Sequence, residues 1–172
     1  MVAHPYEASR LMGAVLVDVA EAVKDELALG THLFAIEPER SYADWDMRLE
    51  DLDTVRVDVV PVGVRETRLE ARGELVYLCD VDIGVRKRFG ADDHDDPTGR
   101  IELSEIDDLI QLVEQLHEYM VDADNNGRRL TNYAAAAWQE CSIRASYIRE
   151  HLREMQQFTG ILRVTYDAAK AL

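Results

Sequence analysis

The most regular pattern of hydrophobic and polar positions runs from Glu74 to Phe89, with the sequence ELVYLCDVDIGVRKRF. Apolar side chains occupy every second position from Leu75 to Val85. The positions between and around them include the charged residues Glu74, Asp80, Asp82, Arg86 and Arg88. A period of two over this length predicts one long strand with a buried face and a face largely in water.

Other segments show the same alternation over shorter lengths. Residues 54–62 and 158–167 are predicted to be strands, and residues 32–36 a short one that ends before Pro38. The alanine-rich segment 130–140 suits a helix or a strand, and we favour a strand that ends near Cys141.

Helical spacing appears in three places. Apolar residues step by three and four along residues 8–29, and Gly30 is placed to end that helix. A second apolar stripe predicts a helix from Ser104 to about Met120, and a short helix is predicted within residues 146–156.

These elements predict a single α+β domain over residues 1–172, with a mixed or antiparallel β-sheet and two main helices packed on one face. The charged segment 63–73 lies between two glycines and is expected to form the tip of a long hairpin. We expect this hairpin arm, about residues 60–76, to project beyond the core.

The net charge of the chain disfavours two classes of binding partner. Nineteen Lys and Arg against thirty-four Asp and Glu give a formal net charge of −15. Such a surface argues against binding nucleic acid or anionic lipid, since both depend on basic side chains. The N-terminus lacks the features of a signal peptide, and no apolar run approaches the roughly 20 residues of a membrane span. We therefore expect a protein that is made in a reducing cytoplasm and does not bind membranes, with Cys79 buried and reduced.

Candidate chemistry is sparse. Asp92, Asp93 and Asp95 cluster around His94, but the spacing of an EF-hand is absent, which favours a solvated loop over a Ca²⁺ site. His117 has no second ligand three or four positions away, and adjacent residues such as Glu150 and His151 point apart on a helix. No nucleotide-binding or nucleophile motif occurs. The sequence predicts no enzyme activity, no metal and no cofactor.

One set of basic residues stands out against the acidic background: Arg65, Arg68, Arg72, Arg86, Lys87 and Arg88. They are either solvated strand ends that prevent aggregation, or a basic surface that meets an acidic face of a neighbouring copy. Contacts of the second kind build head-to-tail rings. Charge segregation alone leaves both interpretations open.

The order of segments resembles that of a known family. An N-terminal helix is followed by LEDLDTVRVDVVPVG, a hairpin into ELVYLCDVDIGVRKRF, then IDDLIQLVEQLHEYM and FTGILRVTYD. This order, over most of the chain from about residue 8 to residue 167, resembles the tail terminator or tail-completion proteins of the neck of long-tailed phages.

The resemblance implies an α+β subunit that forms a ring, typically a hexamer, in the virion after synthesis in the host bacterial cytoplasm. Such a ring terminates the tail tube, contacts the tail tube protein on one side and a head connector or stopper protein on the other, and lets DNA pass without specific binding. The chain is somewhat larger than a minimal member, so another neck, connector or minor tail position stays open.

Carboxylates suit the wall of a DNA channel because they offer no gain from counterion release. The candidates for lumen-facing residues are Glu39, Asp44, Asp46, Asp92, Asp93 and Asp95. Two further classes compete with the ring: an enzyme, for which the sequence supplies no constellation, and an acidic protein that mimics DNA and binds a basic partner.

Overall fold

The computed structural model describes residues 14–32, 35–50, 54–90, 102–122 and 128–170. The elements follow in the order α1 (Val15–Leu29), β1 (Glu39–Arg40), β2 (Arg56–Leu69), β3 (Leu75–Arg88), α2 (Leu103–Val121), β4 (Ala136–Ala145), α3 (Arg149–Met155) and β5 (Gln157–Ala169).

The strands form one five-stranded sheet in the order β1-β2-β3-β5-β4. The two-residue strand β1 runs parallel to β2, and every other neighbouring pair is antiparallel. The sheet is therefore mixed, and the predicted α+β fold is confirmed.

The central strand is β3, which pairs with β2 on one side and β5 on the other over nearly its full length. Its alternating side chains Cys79, Val81, Ile83 and Val85 are completely buried, as the period of two predicts. The observed strand begins one residue later and ends one residue earlier than predicted.

Both main helices cover the face of the sheet that carries these side chains. The buried positions of α1 include Val19, Val23 and Leu27, and all belong to the same core as the buried stripe of α2. The side chain of Val113 in α2 lies directly over Gly160 of β5, where a Cβ atom would clash with it. The prediction of two helices on one face is confirmed, and the first residues of the predicted α1 lie outside the described residues.

The strand predicted over residues 32–36 is wrong for the residues described there. His32 instead folds back on the end of α1, where its Nε2 lies 2.9 Å from the carbonyl oxygen of Leu27 and its ring packs edge-on against Tyr119. Strand pairing begins later, at Glu39 and Arg40, which align with Asp58 and Val59 of β2.

The hairpin between β2 and β3 is longer and its turn tighter than predicted. Strand β2 continues through the charged segment to Leu69, and the turn is closed by hydrogen bonds between Glu70 and Glu74 and between Gly73 and Glu70, both 2.9 Å. Gly73 adopts φ +82°, a conformation that glycine tolerates best. Strand β5 flanks β3 as far as the pair Val76–Ala169, so an arm projecting beyond the core is not confirmed.

None of the helices in the described part of the chain combines the length and apolar character that a membrane crossing requires.

Candidate functional site

The face of the sheet opposite the main helices carries a network of charged side chains in the described part of the chain. The polar positions of β3 point to this face, and the alternation predicted that they are in water. That prediction is wrong for Asp80, Asp82 and Arg86, which are only 4, 7 and 4% exposed. They are buried because charged side chains from neighbouring strands lie across them, and we call this surface the charged face.

The middle of the charged face holds a two-point ion pair between neighbouring strands. Arg163 of β5 donates from Nε and from its terminal nitrogen to the two carboxylate oxygens of Asp82, at 2.8 and 3.1 Å. These hydrogen bonds raise the pKa of Arg163 above its ordinary value. Paired contacts of this type fix direction as well as distance.

One arginine connects four strands. Arg65 of β2 donates from Nε to Asp80 of β3 at 2.7 Å, and its terminal nitrogen reaches Thr165 of β5 at 3.3 Å and Glu140 of β4 at 3.5 Å. The hydroxyl of Thr165 in turn donates to Asp80 at 2.6 Å. Arg65 therefore reaches across the sheet toward three other strands, with 51% of its side chain still exposed.

Toward the hairpin turn, Arg68 of β2 donates to Asp167 of β5 at 2.8 Å, with Glu66 and Glu70 at 3.8 and 3.6 Å. The hydrogen bond to Asp167 raises the pKa of Arg68 above its ordinary value. Like Arg65, this guanidinium is engaged within its own chain.

At the other end of the face, segment 41–50 covers a buried ion pair. Arg86 donates to Asp58 at 2.8 Å, and Ser41 donates its hydroxyl to the same carboxylate at 3.0 Å. The ring of Trp45 lies 5.3 Å from the Arg86 guanidinium and packs against Gly84, where a Cβ atom would clash with it. The small residue in the strand thus makes room for the aromatic ring that covers the ion pair.

Segment 41–50 is also held by α3. His151 is 4% exposed, with Nδ1 2.8 Å from the Thr159 hydroxyl and Nε2 3.1 Å from the Asp46 carboxylate. Thr159 is fully buried, so this carboxylate–histidine–hydroxyl arrangement has no access for a substrate at the hydroxyl. No local pattern indicates this arrangement, because Asp46 and His151 lie 105 residues apart.

The six predicted basic residues do not form one patch. Arg68 lies opposite Val76 and Arg86 opposite Arg56, which places Arg68 and Arg86 about 33 Å apart along the strand. Near the turn, Arg65 and Arg68 have carboxylate partners, whereas Arg72 is exposed and makes no ion pair with the described residues.

The other three basic residues contribute to the fold. Arg86 is buried against Asp58. Lys87 points to the helical side, 3.8 Å from Glu105 and over the ring of Phe89. Arg88 donates to the carbonyl oxygens of residues 49 and 50 at 3.1 and 3.4 Å, which ties segment 41–50 to the sheet.

Three of the predicted lumen-facing carboxylates lie in the described part of the chain. Glu39 is exposed beside Arg56 at 3.5 Å, and Asp44 and Asp46 are exposed on segment 41–50, at the border of the charged face. Asp92, Asp93 and Asp95 lie outside the described residues.

Helix α2 carries an acidic surface that the sequence analysis missed. The helix holds five carboxylates and neither Lys nor Arg. Asp107, Glu114 and Glu118 are exposed at positions that repeat along one helical face. The helical spacing of the acidic residues in IDDLIQLVEQLHEYM indicates this surface. Acidic residues are frequent along the whole sequence, so their spacing in this one segment did not stand out.

Two histidines line a cavity of about 500 Å³ between Thr31 and the second half of α2. His32 is held by the carbonyl of Leu27, and His117 by the carbonyl of Cys141 at 3.1 Å. Both rings are thus oriented by the main chain. Among the described residues, no three His, Cys, Asp or Glu side chains converge as metal ligands.

No protein-family model and no curated protein matches this chain.

Proposed function

We propose that this chain is a structural subunit of a phage neck, which forms a ring that terminates the tail tube and joins it to the head connector. DNA passes through the channel of this ring, and the subunit needs no cofactor. The mixed sheet with helices on one face suits this role, and so does the resemblance of the ordered segments to tail terminator proteins.

The charged face is the observation that carries the proposal. A channel wall must contact DNA without retaining it, and retention depends on lysines and arginines free to displace counterions from phosphates. On this face Arg65, Arg68, Arg86 and Arg163 are each held by a carboxylate of the same chain. The face is broad and polar, and these four cations are already neutralised.

Exposed carboxylates next to this face strengthen the argument. Glu39, Asp44 and Asp46 lie at the border where segment 41–50 crosses the sheet. In the proposed ring the charged face lines the channel, and these carboxylates form an acidic rim at one end. The two ends of the ring contact the tail tube protein and the head connector or stopper protein.

The proposal is tested by negative-stain electron microscopy of the purified protein, combined with fluorescence anisotropy of a labelled DNA duplex. We expect six-fold rings with a bore wide enough for a duplex, and no DNA binding at 50 mM salt.

Asp82→Asn removes the carboxylate that holds Arg163. This variant should bind the duplex at 50 mM salt and lose affinity as salt rises. Arg153→Gln, at an exposed ion pair on α3, is the matched control and should behave like the wild type. A monomer without rings contradicts the proposal, as does wild-type protein that binds DNA tightly.

A second candidate function follows from α2. A helix with exposed Asp107, Glu114 and Glu118 and no basic residue presents a row of negative charges, as a DNA mimic does. This alternative predicts a monomer or dimer that binds a basic partner, and Asp107→Asn with Glu114→Gln should then weaken that binding without changing the oligomeric state.

A further inference from the structure

We propose that copies of this chain join head to tail by strand addition, with the open edge of β2 in one copy pairing antiparallel with the outer edge of β4 in the next. The inference rests on the proposed function and names the contact by which the ring closes.

Both edges of the described sheet are open. Strand β1 aligns with β2 only at Asp58 and Val59, and Ser41 adds one further hydrogen bond, to the Val59 carbonyl, at 3.0 Å. Along residues 61–69 no described strand lies on the outer side of β2. At the opposite edge, β4 pairs only with β5 among the described strands. An open edge presents unpaired main-chain donors and acceptors that a neighbouring strand can complete.

The two edges overlap in level from the pair Thr67 and Ala136 to the pair Pro61 and Cys141, and they run in opposite directions. The pairings connect Thr67 of β2 through Tyr77 and Ala168 to Ala136 of β4. Strand β4 has ten residues, and the open part of β2 is one residue shorter. In copies related by rotation about an axis along the strands, β2 and the next β4 therefore meet antiparallel and side by side.

Apolar side chains near the β2 edge lack cover within the described chain. Val62, Val64, Leu69 and Leu75 are 45, 41, 72 and 41% exposed. Val64 is level with Trp138 of β4, and both point to the helical face. Strand addition places Val64 of one copy beside Trp138 of the next, which removes apolar surface of both from water.

The charges at the two edges permit contact between acidic copies. Residues 61–74, along the β2 edge, carry three arginines and three glutamates, namely Arg65, Arg68 and Arg72 with Glu66, Glu70 and Glu74, and Arg65 and Arg68 also hold Asp80 and Asp167 of the inner strands. On β4, Glu140 and Arg144 balance in the same way. In a chain of net charge −15, balanced surfaces are where two copies approach without strong repulsion.

The irregularity of both edges favours a specific partner over random pairing. Strand β2 begins its open part at Pro61, and both β2 and β4 have two register shifts against their inner neighbours. Such bulges protect an edge from flat, unrelated strands. The β4 edge of a second copy is irregular in the same way and overlaps the β2 edge in level, whereas a flat strand does neither.

Disulfide cross-linking tests the contact. Glu66 and Ala137 are exposed, level with each other and on the charged face. Within one copy they are three strands apart, about 14 Å, too far for a disulfide. Under mild oxidation, Glu66→Cys with Ala137→Cys should give a ladder of covalent oligomers on a non-reducing gel. The matched control replaces Ala137→Cys by Ser142→Cys, about 13 Å further along the sheet in register with β5, and should give no ladder.

Hydrogen exchange reports the contact even if the two strands pair in a shifted register, in which case the disulfide would not form. In the assembled wild type, amides of residues 62–67 and 136–141 should exchange on the order of a hundredfold more slowly than in the protein diluted to monomer. A ring in which neither segment gains protection overturns the inference and leaves the proposed function standing. Covalent dimers from Glu66→Cys alone also overturn it, because they show two β2 edges in contact. A monomer at every concentration overturns both the inference and the proposed function.

Discussion

The buried ion pair between Arg86 and Asp58 provides a quantitative prediction about the charged face. Their side chains are 5% and 1% exposed, and the nitrogen–oxygen distance is 2.8 Å. Replacing Arg86→Met leaves the Asp58 carboxylate buried, with the hydroxyl of Ser41 and a long contact of 3.4 Å to Arg56. It also removes the cation under the ring of Trp45.

The magnitude follows from the cost of an uncompensated buried charge. Removing one partner of a buried pair costs about 3–5 kcal/mol. The Nε of Arg86 is buried without a hydrogen-bond partner in the described structure, so burial of the arginine itself is partly uncompensated. We therefore expect the lower end, about 3 kcal/mol, a large part of the roughly 5–15 kcal/mol that stabilises a typical domain.

Urea unfolding, monitored by circular dichroism, measures this loss. The slope of the unfolding free energy against urea concentration is compared between variants. The matched control is Arg153→Met, which removes an exposed pair with Glu154 at 3.1 Å and should cost less than about 1 kcal/mol. Adding Asp58→Leu to Arg86→Met should recover much of the loss, because no unpaired charge then remains buried. A loss for Arg86→Met no larger than that of the control refutes the reasoning.

Two further predictions test the packing on each side of the sheet. Gly84→Ala forces a Cβ atom into the ring of Trp45, so it should destabilise the fold by about 1–3 kcal/mol and change the tryptophan fluorescence. Gly63→Ala is the control, because a Cβ atom there meets open space, and it should have neither effect. Equal effects of the two substitutions contradict the packing of Trp45 on Gly84. Burial raises the pKa of Cys79 to about 11 and that of Cys141 to about 12. The folded chain thus binds these thiol protons more tightly than the unfolded chain. The contribution of the thiols to the free energy of unfolding should therefore be fully present below about pH 8.5 and be lost as pH rises toward 11. Urea unfolding at several pH values measures this loss. Rapid labelling of both thiols in the native protein at pH 8 argues against this burial.

Local patterns predicted the elements with the strongest periodicity. The alternation around Cys79, Val81 and Ile83 located β3 to within one residue at each end, and helical spacing located α2. Charge and bounding glycines predict a hairpin tip that begins at Gly63, but the backbone of Gly63 stays extended within β2, so these two signals misplace the turn.

Local sequence patterns could not predict that the charged face is buried. Alternation indicates which side chains share a face, but it does not indicate what covers that face. The partners of Asp80 and Asp82 arrive from distant strands: Arg163 lies 81 residues from Asp82, and Thr165 lies 85 residues from Asp80. Only the register between β3 and β5 brings them together.

The measurement that tests the central claim most directly is the native mass of the purified protein at physiological salt. A chain of 19.5 kDa that closes through its two sheet edges should give one closed species at micromolar concentration and above, about 117 kDa for a hexamer. A mass of 19.5 kDa across the whole concentration range contradicts the account, because a subunit of a ring cannot remain solitary.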